Sequence, residues 1–215
     1  MRNAERDAKS AETRRNKLME AGFRLFSERT IEAVTLNEVA EDAHVGIATL
    51  YRYFDNKPNL VIAIATQKWI EYVHVVADSY ERRGGDNMTA AERLEHFLDS
   101  FIDLYRNHRE ILVFNRNFDT YVKHEHCTHE QMAPYNEAVT AFAKRFGTII
   151  AKAKEDETLE IRTSGRKLFV NLLYIMLSVS GKYAEGLIYP EDYKQDMTEE
   201  LYMLKQMILD MYVKK

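Results

Sequence analysis

Cysteine is nearly absent from this chain. The single thiol, Cys127, excludes an intrachain disulfide and fits a reducing compartment. Three prolines and eight glycines in 215 residues are few turn-formers, which favours long helices over many short strands. No run approaches the ~20 apolar residues of a membrane-spanning helix, and the charged, polar N-terminus lacks the apolar stretch of a secretory signal. Cytoplasmic residence is expected. No nucleophile–base pair, phosphate-cradling loop or cofactor fingerprint stands in the sequence, so neither an enzyme nor a cofactor is expected. A surplus of positive charge is missing as well: 30 Lys and Arg against 34 Asp and Glu give a net charge of −4. What remains is ordinary for a globular chain, 46% hydrophobic and 30% charged, and long enough for one or two domains with a core.

One stretch organises the rest. Thr35 to Lys57 reads as two short helices around a tight turn. Thr35 is a good N-cap, and Glu38, three residues on, completes a capping box. Leu36, Val39, Ala40 and Ala43 recur at helical spacing. The break falls at His44–Val45–Gly46. In the second helix Leu50 and Phe54, spaced i, i+4, point inward together and leave Ile47, Ala48, Thr49, Tyr51, Arg52 and Tyr53 on the other faces. A helix-turn-helix of this length is the unit that lays its second helix in the DNA major groove.

The run ATLYRYFDNKPNL resembles the end of the DNA-binding domain of TetR (tetracycline repressor) family transcription regulators, which show T/S-L-Y-x-Y/H-F-x-x-K here. The likeness spans about residues 13 to 65. The resemblance implies that Thr35, Thr49, Tyr51, Tyr53 and Lys57 contact phosphates, while Ile47, Ala48, Thr49 and Arg52 face base edges. Arg can read guanine through two acceptors, and Ile and Ala can touch thymine methyls. Three positions depart from the pattern. Thr30 and His44 stand where Gly is usual, at expected helix ends with left-handed backbone. Gly46 stands where Ser would cap the recognition helix and touch a phosphate.

Charge is local in this head. Residues 1–57 carry ten basic and ten acidic groups, but residues 1–17 hold six basic against three acidic. Phosphate binding needs cations near the backbone, so few contacts and a shallow salt dependence are expected. Arg14 and Arg15, off the apolar stripe of a first helix over Ser10–Glu28, can serve as further phosphate contacts or as a solvated face. Lys57 and Pro58 fall in the first turn of a fourth helix capped by Asn56. A cation there opposes the helix dipole unless a phosphate lies beside it.

Beyond the head the chain reads as further helices. The expected division is a DNA-binding domain over 1–57 with an N-terminal arm at about 1–9, a connecting helix over 58–83, and an effector-binding and dimerisation domain over 86–215. Thr89 to Glu92 is a second capping box. A helix over Leu168 to Leu187 is apolar on several faces. Pro190 separates it from a last helix, about Asp196 to Tyr212, in which Leu201, Leu204, Ile208 and Met211 step like a coiled-coil seam. The resemblance implies that these two helices pair with their copies, giving an expected interface of Leu172, Ile175, Val179, Tyr183, Leu201, Leu204, Ile208 and Met211. Tyr105, Phe118, Tyr121, Asn171 and Tyr174, polar tips within apolar faces, are the expected effector contacts. His124, His126, Cys127 and His129 with Glu125 and Glu130 are ligand-type side chains. They include no CxxC or HExxH pattern, so a solvated helix end rather than a metal site is expected.

The expectation is an all-α chain of about nine helices, with a three-helix DNA-binding head and a larger helical domain. It would act as a homodimeric, ligand-responsive regulator, in the repressor mode, that binds a palindromic operator in double-stranded DNA and is released by a small-molecule effector. The rival reading is a helical adaptor that has lost DNA binding.

Overall fold

The starts of four helices in this chain coincide with side chains that satisfy orphan amides. The structure, a computed structural model, describes residues 2–186 and 196–214, with residues 2–5 by backbone alone. Among them are nine α-helices: α1 Arg2–Glu28, α2 Leu36–Asp42, α3 Ile47–Phe54, α4 Lys57–Arg82, α5 Ala90–Asn107, α6 Arg109–His124, α7 Ala133–Asp156, α8 Gly165–Glu185 and α9 Thr198–Tyr212. No strand forms among the described residues; Leu159 and Val213 make an isolated antiparallel bridge. The all-α expectation holds.

Both capping boxes form. At α5 the Thr89 hydroxyl accepts from the Glu92 amide at 3.3 Å, and the Glu92 carboxylate accepts from the Thr89 amide at 2.7 Å. Asn56 caps α4 by accepting from the Asn59 amide at 2.9 Å, with Pro58 inside the first turn where its missing N–H is harmless. Ser164 caps α8 through the Lys167 amide. The first helix is longer than expected and runs back to Arg2, through residues read as an arm. Ala, Glu, Arg and Lys dominate that stretch, and Glu5 and Lys9 have the favourable i, i+4 order. Leu187 and Pro190 lie outside the described residues.

The chain folds as two compact units, Met1–Lys68 with Phe114–Asn136, and Trp69–Val113 with Glu137–Lys215. In the first, Leu18, Phe26, Ile31, Leu50, Leu60 and Ile64 are fully buried. The end of α6 joins this core: Phe114 packs against Phe23 at 5.4 Å between ring centroids, and Phe118 against Tyr135 at 4.8 Å. No punctuation in the sequence announces that attachment.

The second unit is built on α5. Phe97 lies 4.9–6.3 Å from the rings of Phe101, Phe142, Phe146 and Phe169. Trp69 meets Phe142 edge-on at 5.4 Å. The nearly buried Lys205 of α9 bonds Glu95 at 2.9 Å and Asp99 at 2.7 Å on α5, and Arg83 also reaches Asp99. The C-terminus is stitched to the link after α7, where the Glu160 amide donates to the Tyr212 carbonyl at 2.7 Å. By length and composition α4 is long and apolar enough to cross a membrane, against the expectation that no run is. Its Leu60, Val61, Ile64, Trp69 and Tyr72 are buried inside the protein.

Replacing Thr89 by Ala removes one half of the α5 box and is expected to lower stability by about 1 kcal/mol in urea unfolding at neutral pH. Glu92 is held below the usual carboxylate range, chiefly by the Thr89 amide. Its contribution is present above the ordinary carboxylate pKa and is lost as pH falls through the lowered one. The Thr89 amide stays in the variant, so only the share of the gap that comes from the hydroxyl–carboxylate bond narrows in acid; a gap that widens in acid contradicts the box.

Candidate nucleic-acid interface

The start of α2 is closed by three residues. The Thr35 hydroxyl accepts from the Glu38 amide at 3.2 Å and donates to the Glu38 carboxylate at 2.8 Å, which also accepts from the Thr35 amide at 2.7 Å. Arg29 donates to the other carboxylate oxygen at 2.7 Å. Together these hold Glu38 down at a pKa of about 2, the Thr35 amide first among them. Both Thr35 donors are thus committed inside the motif. The structure gives this residue a capping role, with no proton left over for a phosphate.

The turn after α2 is a Schellman motif. The Val45 amide reaches the Ala40 carbonyl at 3.0 Å and the His44 amide the Glu41 carbonyl at 3.1 Å. This requires left-handed backbone at His44, whose φ is 53°. His supplies what Gly usually supplies there, as expected. Thr30 does not take that conformation; the link after α1 closes through the Ala33 amide on the Thr30 carbonyl at 3.1 Å. Gly46 then sits at the N-cap of α3 with φ −61° and ψ 138°, without a side chain to cap the helix.

The rotation of α3 follows from its two buried residues, Leu50 and Phe54. Ala48, Tyr51 and Arg52 are exposed, with Tyr51 at 51%, while Ile47, Thr49 and Tyr53 are half-buried. Cations gather around the same face. Arg15 of α1 lies over the Phe54 ring at 5.3 Å and Arg52 over Tyr53 at 5.4 Å. The Tyr53 hydroxyl is withdrawn from solvent beside Arg14 and Arg52, and these two, Arg14 first, hold its pKa below the ordinary phenol value. Arg14 and Arg52 therefore offer donors from two helices to one anionic surface.

Lys57 is placed differently. Its ammonium is drawn inward, 3.4 Å from the Glu32 carbonyl and 5.7 Å from the Tyr121 ring centroid. Burial pulls its pKa down despite nearby carboxylates. The cation that opposed the helix dipole is thus accommodated by a carbonyl and an aromatic face of its own unit.

Residues 18–64 match the family model described as bacterial regulatory proteins, tetR family. This segment is similar to the head of TetR-family regulators. Over 75 residues the chain is 31% identical to an HTH-type transcriptional regulator of Staphylococcus aureus (strain USA300), a match covering 34% of this chain and 40% of that protein. The chain thus spans about 40% of the length of the curated relatives it matches. The fold is similar along nearly the whole chain to the transcriptional regulator FadR from Bacillus subtilis in complex with stearoyl-CoA. There the TM-score is 0.70 at 14% identity, covering 90% of this chain and 96% of that one. It is also similar to a transcriptional regulator from Saccharomonospora viridis in complex with choline, with a TM-score of 0.73 at 12% identity over 94% and 98%.

Outside this head, the sequence-based site residues scatter. Tyr105 is fully buried and its oxygen accepts from the Met197 amide at 3.0 Å. Phe118 and Tyr121 are core residues of the first unit, and Asn171 and Tyr174 lie exposed on α8. None of the five is in the wall of the cleft that follows. One cleft in the second unit has a volume of about 240 Å³, with Tyr80, Arg93, Phe97, Arg145 and Phe146 in its walls. Sequence reasoning missed it, although Arg93, one turn before Phe97 within the apolar stripe of α5, was a legible signal.

The expected seam of α8 and α9 divides as well. Leu172, Leu201 and Ile208 are buried in the core of their own chain, and Val179, Tyr183 and Leu204 are half-buried. Ile175 and Met211 are exposed, beside Val170 and Tyr174 on α8 and Tyr202, Met203 and Met207 on α9. Two apolar stripes share each helix, and periodicity does not tell which one faces inward. Among the described residues no three His, Cys, Asp or Glu side chains stand where they could share a metal ion. His124, His126 and His129 are exposed where α6 ends in another left-handed turn, at His126, φ 51°.

A Cβ added at Gly46 would meet nothing within 4 Å, and φ there is negative. Gly46→Ser is therefore expected to stabilise the head by a few tenths of a kcal/mol. If its hydroxyl gains one phosphate contact of about 1 kcal/mol, DNA affinity rises about fivefold. Thermal unfolding and fluorescence anisotropy on duplex DNA check both; weaker binding contradicts the placement of this residue at the phosphate backbone.

Proposed function

We propose that this chain is a ligand-responsive, DNA-binding transcriptional regulator that acts as a homodimer, in the repressor mode, on a palindromic operator. The observation that carries this reading is the outward face of α3. Ala48, Tyr51 and Arg52 project from a helix locked by buried Leu50 and Phe54, flanked by Arg14, in a segment that matches the tetR family model. Ala48 and Ile47 suit thymine methyls, Arg52 suits guanine, and Tyr51, Tyr53 and Arg14 suit phosphates.

The partner copy is the occupant best suited to the outer face of α8 and α9. Val170, Tyr174, Ile175, Tyr202, Met203, Met207 and Met211 are exposed there. Apolar side chains at this density mark interaction surfaces. Two heads on one dimer would meet half-sites one helical turn apart, ~34 Å, or a multiple of it. An effector acts by favouring a conformation with another head spacing, and a coupling of 1–3 kcal/mol would change DNA affinity ~5–150-fold. The neighbours of like fold carry stearoyl-CoA in one case and choline in the other. The fold therefore does not choose the sign of the ligand's charge; the cleft's own residues must.

Selection of sites from random duplex DNA tests the reading. An enriched inverted repeat is expected, and Arg52→Ala should weaken binding to it by about 1–3 kcal/mol while relaxing the preference at one base pair. Absence of any enriched sequence from a folded protein counts against the regulator. Met203→Lys with Met207→Lys is expected to convert a species of twice 25.2 kDa into one of 25.2 kDa in light scattering. An unchanged mass would move the interface elsewhere.

A further inference from the structure

The cleft of the second unit contains an unusual cation. Arg93 is only 8% exposed, yet its nearest carboxylate, Asp86, stands 3.8 Å away and is fully exposed to solvent. Solvent screens that partner, so the buried charge lacks a counter-ion of equal depth. The guanidinium is nevertheless fixed. Nε donates to the Met88 carbonyl at 3.1 Å, Nη2 to the Asp86 carbonyl at 2.9 Å, and the group lies over the Tyr80 ring at 5.8 Å. Its Nη1 makes no hydrogen bond among the described residues.

Arg145 lines the same cleft from α7. One of its amines donates to the Val73 carbonyl at 3.3 Å, which holds the side chain across the opening and leaves the rest of the fork unused. The remaining wall is apolar: Val76, Phe97, Phe142, Phe146 and Ile149. His96, also in the wall, adds no charge at neutral pH, because burial first and then Arg83 lower its pKa. Its ring nitrogen is paired with Ser79 at 3.2 Å. Glu81 and Asp86 are at the exposed rim. The positive end is therefore deep and the negative groups shallow, so a bound cation would meet Arg93 and a bound anion would complete it. At about 240 Å³ the cleft is smaller than the ~300–1,000 Å³ typical of drug-sized ligands and suits one or two rings or a short chain.

We propose that this cleft binds a small organic carboxylate, its head between Arg93 and Arg145 and its apolar body against Phe97, Phe142 and Phe146. The assignment rests on the ligand-responsive reading above and names the chemical class of that ligand. A planar guanidinium fork matches a carboxylate, and a rigid aromatic wall matches a flat or alicyclic body.

The test is calorimetric titration of the full chain, without DNA, with benzoate, 2-naphthoate, cyclohexanecarboxylate and octanoate, each against its primary amide. At least one carboxylate should bind, with its amide weaker by about tenfold or more. Arg145→Gln, at an exposed position that leaves the core intact, should lose binding by a similar factor. Equal binding of an amide, full affinity in Arg145→Gln, or no binding by all four carboxylates would overturn the proposal. A carboxylate that binds by these criteria but leaves DNA affinity unchanged supports the ligand class and instead contradicts the ligand-responsive reading.

Discussion

The burial of two side chains, Leu50 and Phe54, governs what this protein can present to DNA. They lie i, i+4 on the short helix α3 and are withdrawn from solvent to 0% and 4%. A helix pinned by one stripe has its opposite face determined, because side-chain direction follows a period of 3.6 residues. Ala48, Tyr51 and Arg52 are outside because Leu50 and Phe54 are inside. The two ends of the motif protect that choice: the Thr35–Glu38–Arg29 closure fixes α2, and the Schellman turn through left-handed His44 sets the direction in which the chain enters α3. Loss of either end would free α3 to rotate before any DNA contact changed.

A head with equal numbers of acids and bases can still attract phosphate where part of its acid is spent internally. Glu38 is held by Arg29, Asp42 by Arg24, and Glu20 by Lys68. Arg52 makes no ion pair among the described residues, and Arg14 bonds the neutral Ser10 hydroxyl and stands beside the Tyr53 hydroxyl. Arg14 and Arg52, beside α3, are among the cations left without a carboxylate. Exposed pairs like these contribute little stability each; their consequence here is where they leave positive charge.

Local sequence grammar made much of this legible. A capping box is a relation across three residues, so Thr35–Glu38 and Thr89–Glu92 could be read directly, as could the αL position at His44 and the inward pair of α3. What could not be read depended on distant packing. Lys57 is turned inward by Tyr121, which comes from α6 far along the chain. The apolar stripes of α8 and α9 were both visible, but only the positions of α5 and the other packed helices decide that Leu201 and Ile208 face in while Met203 and Met207 face out. The effector residues were chosen as polar tips in apolar faces, a rule that also describes an ordinary core tyrosine such as Tyr105. Arg93 broke its stripe more sharply than any of them, and its meaning emerged only when Arg145 was found in the wall of the same cleft.

The most direct test of the central claim is hydrogen–deuterium exchange of the full chain with and without duplex DNA, at low salt to retain electrostatic contacts. The account predicts slowed exchange in the amides of residues 46–54 and in the α1 turn that carries Arg14, with α8 and α9 unchanged. Slowed exchange on another surface, with the α3 amides unaffected, would contradict it.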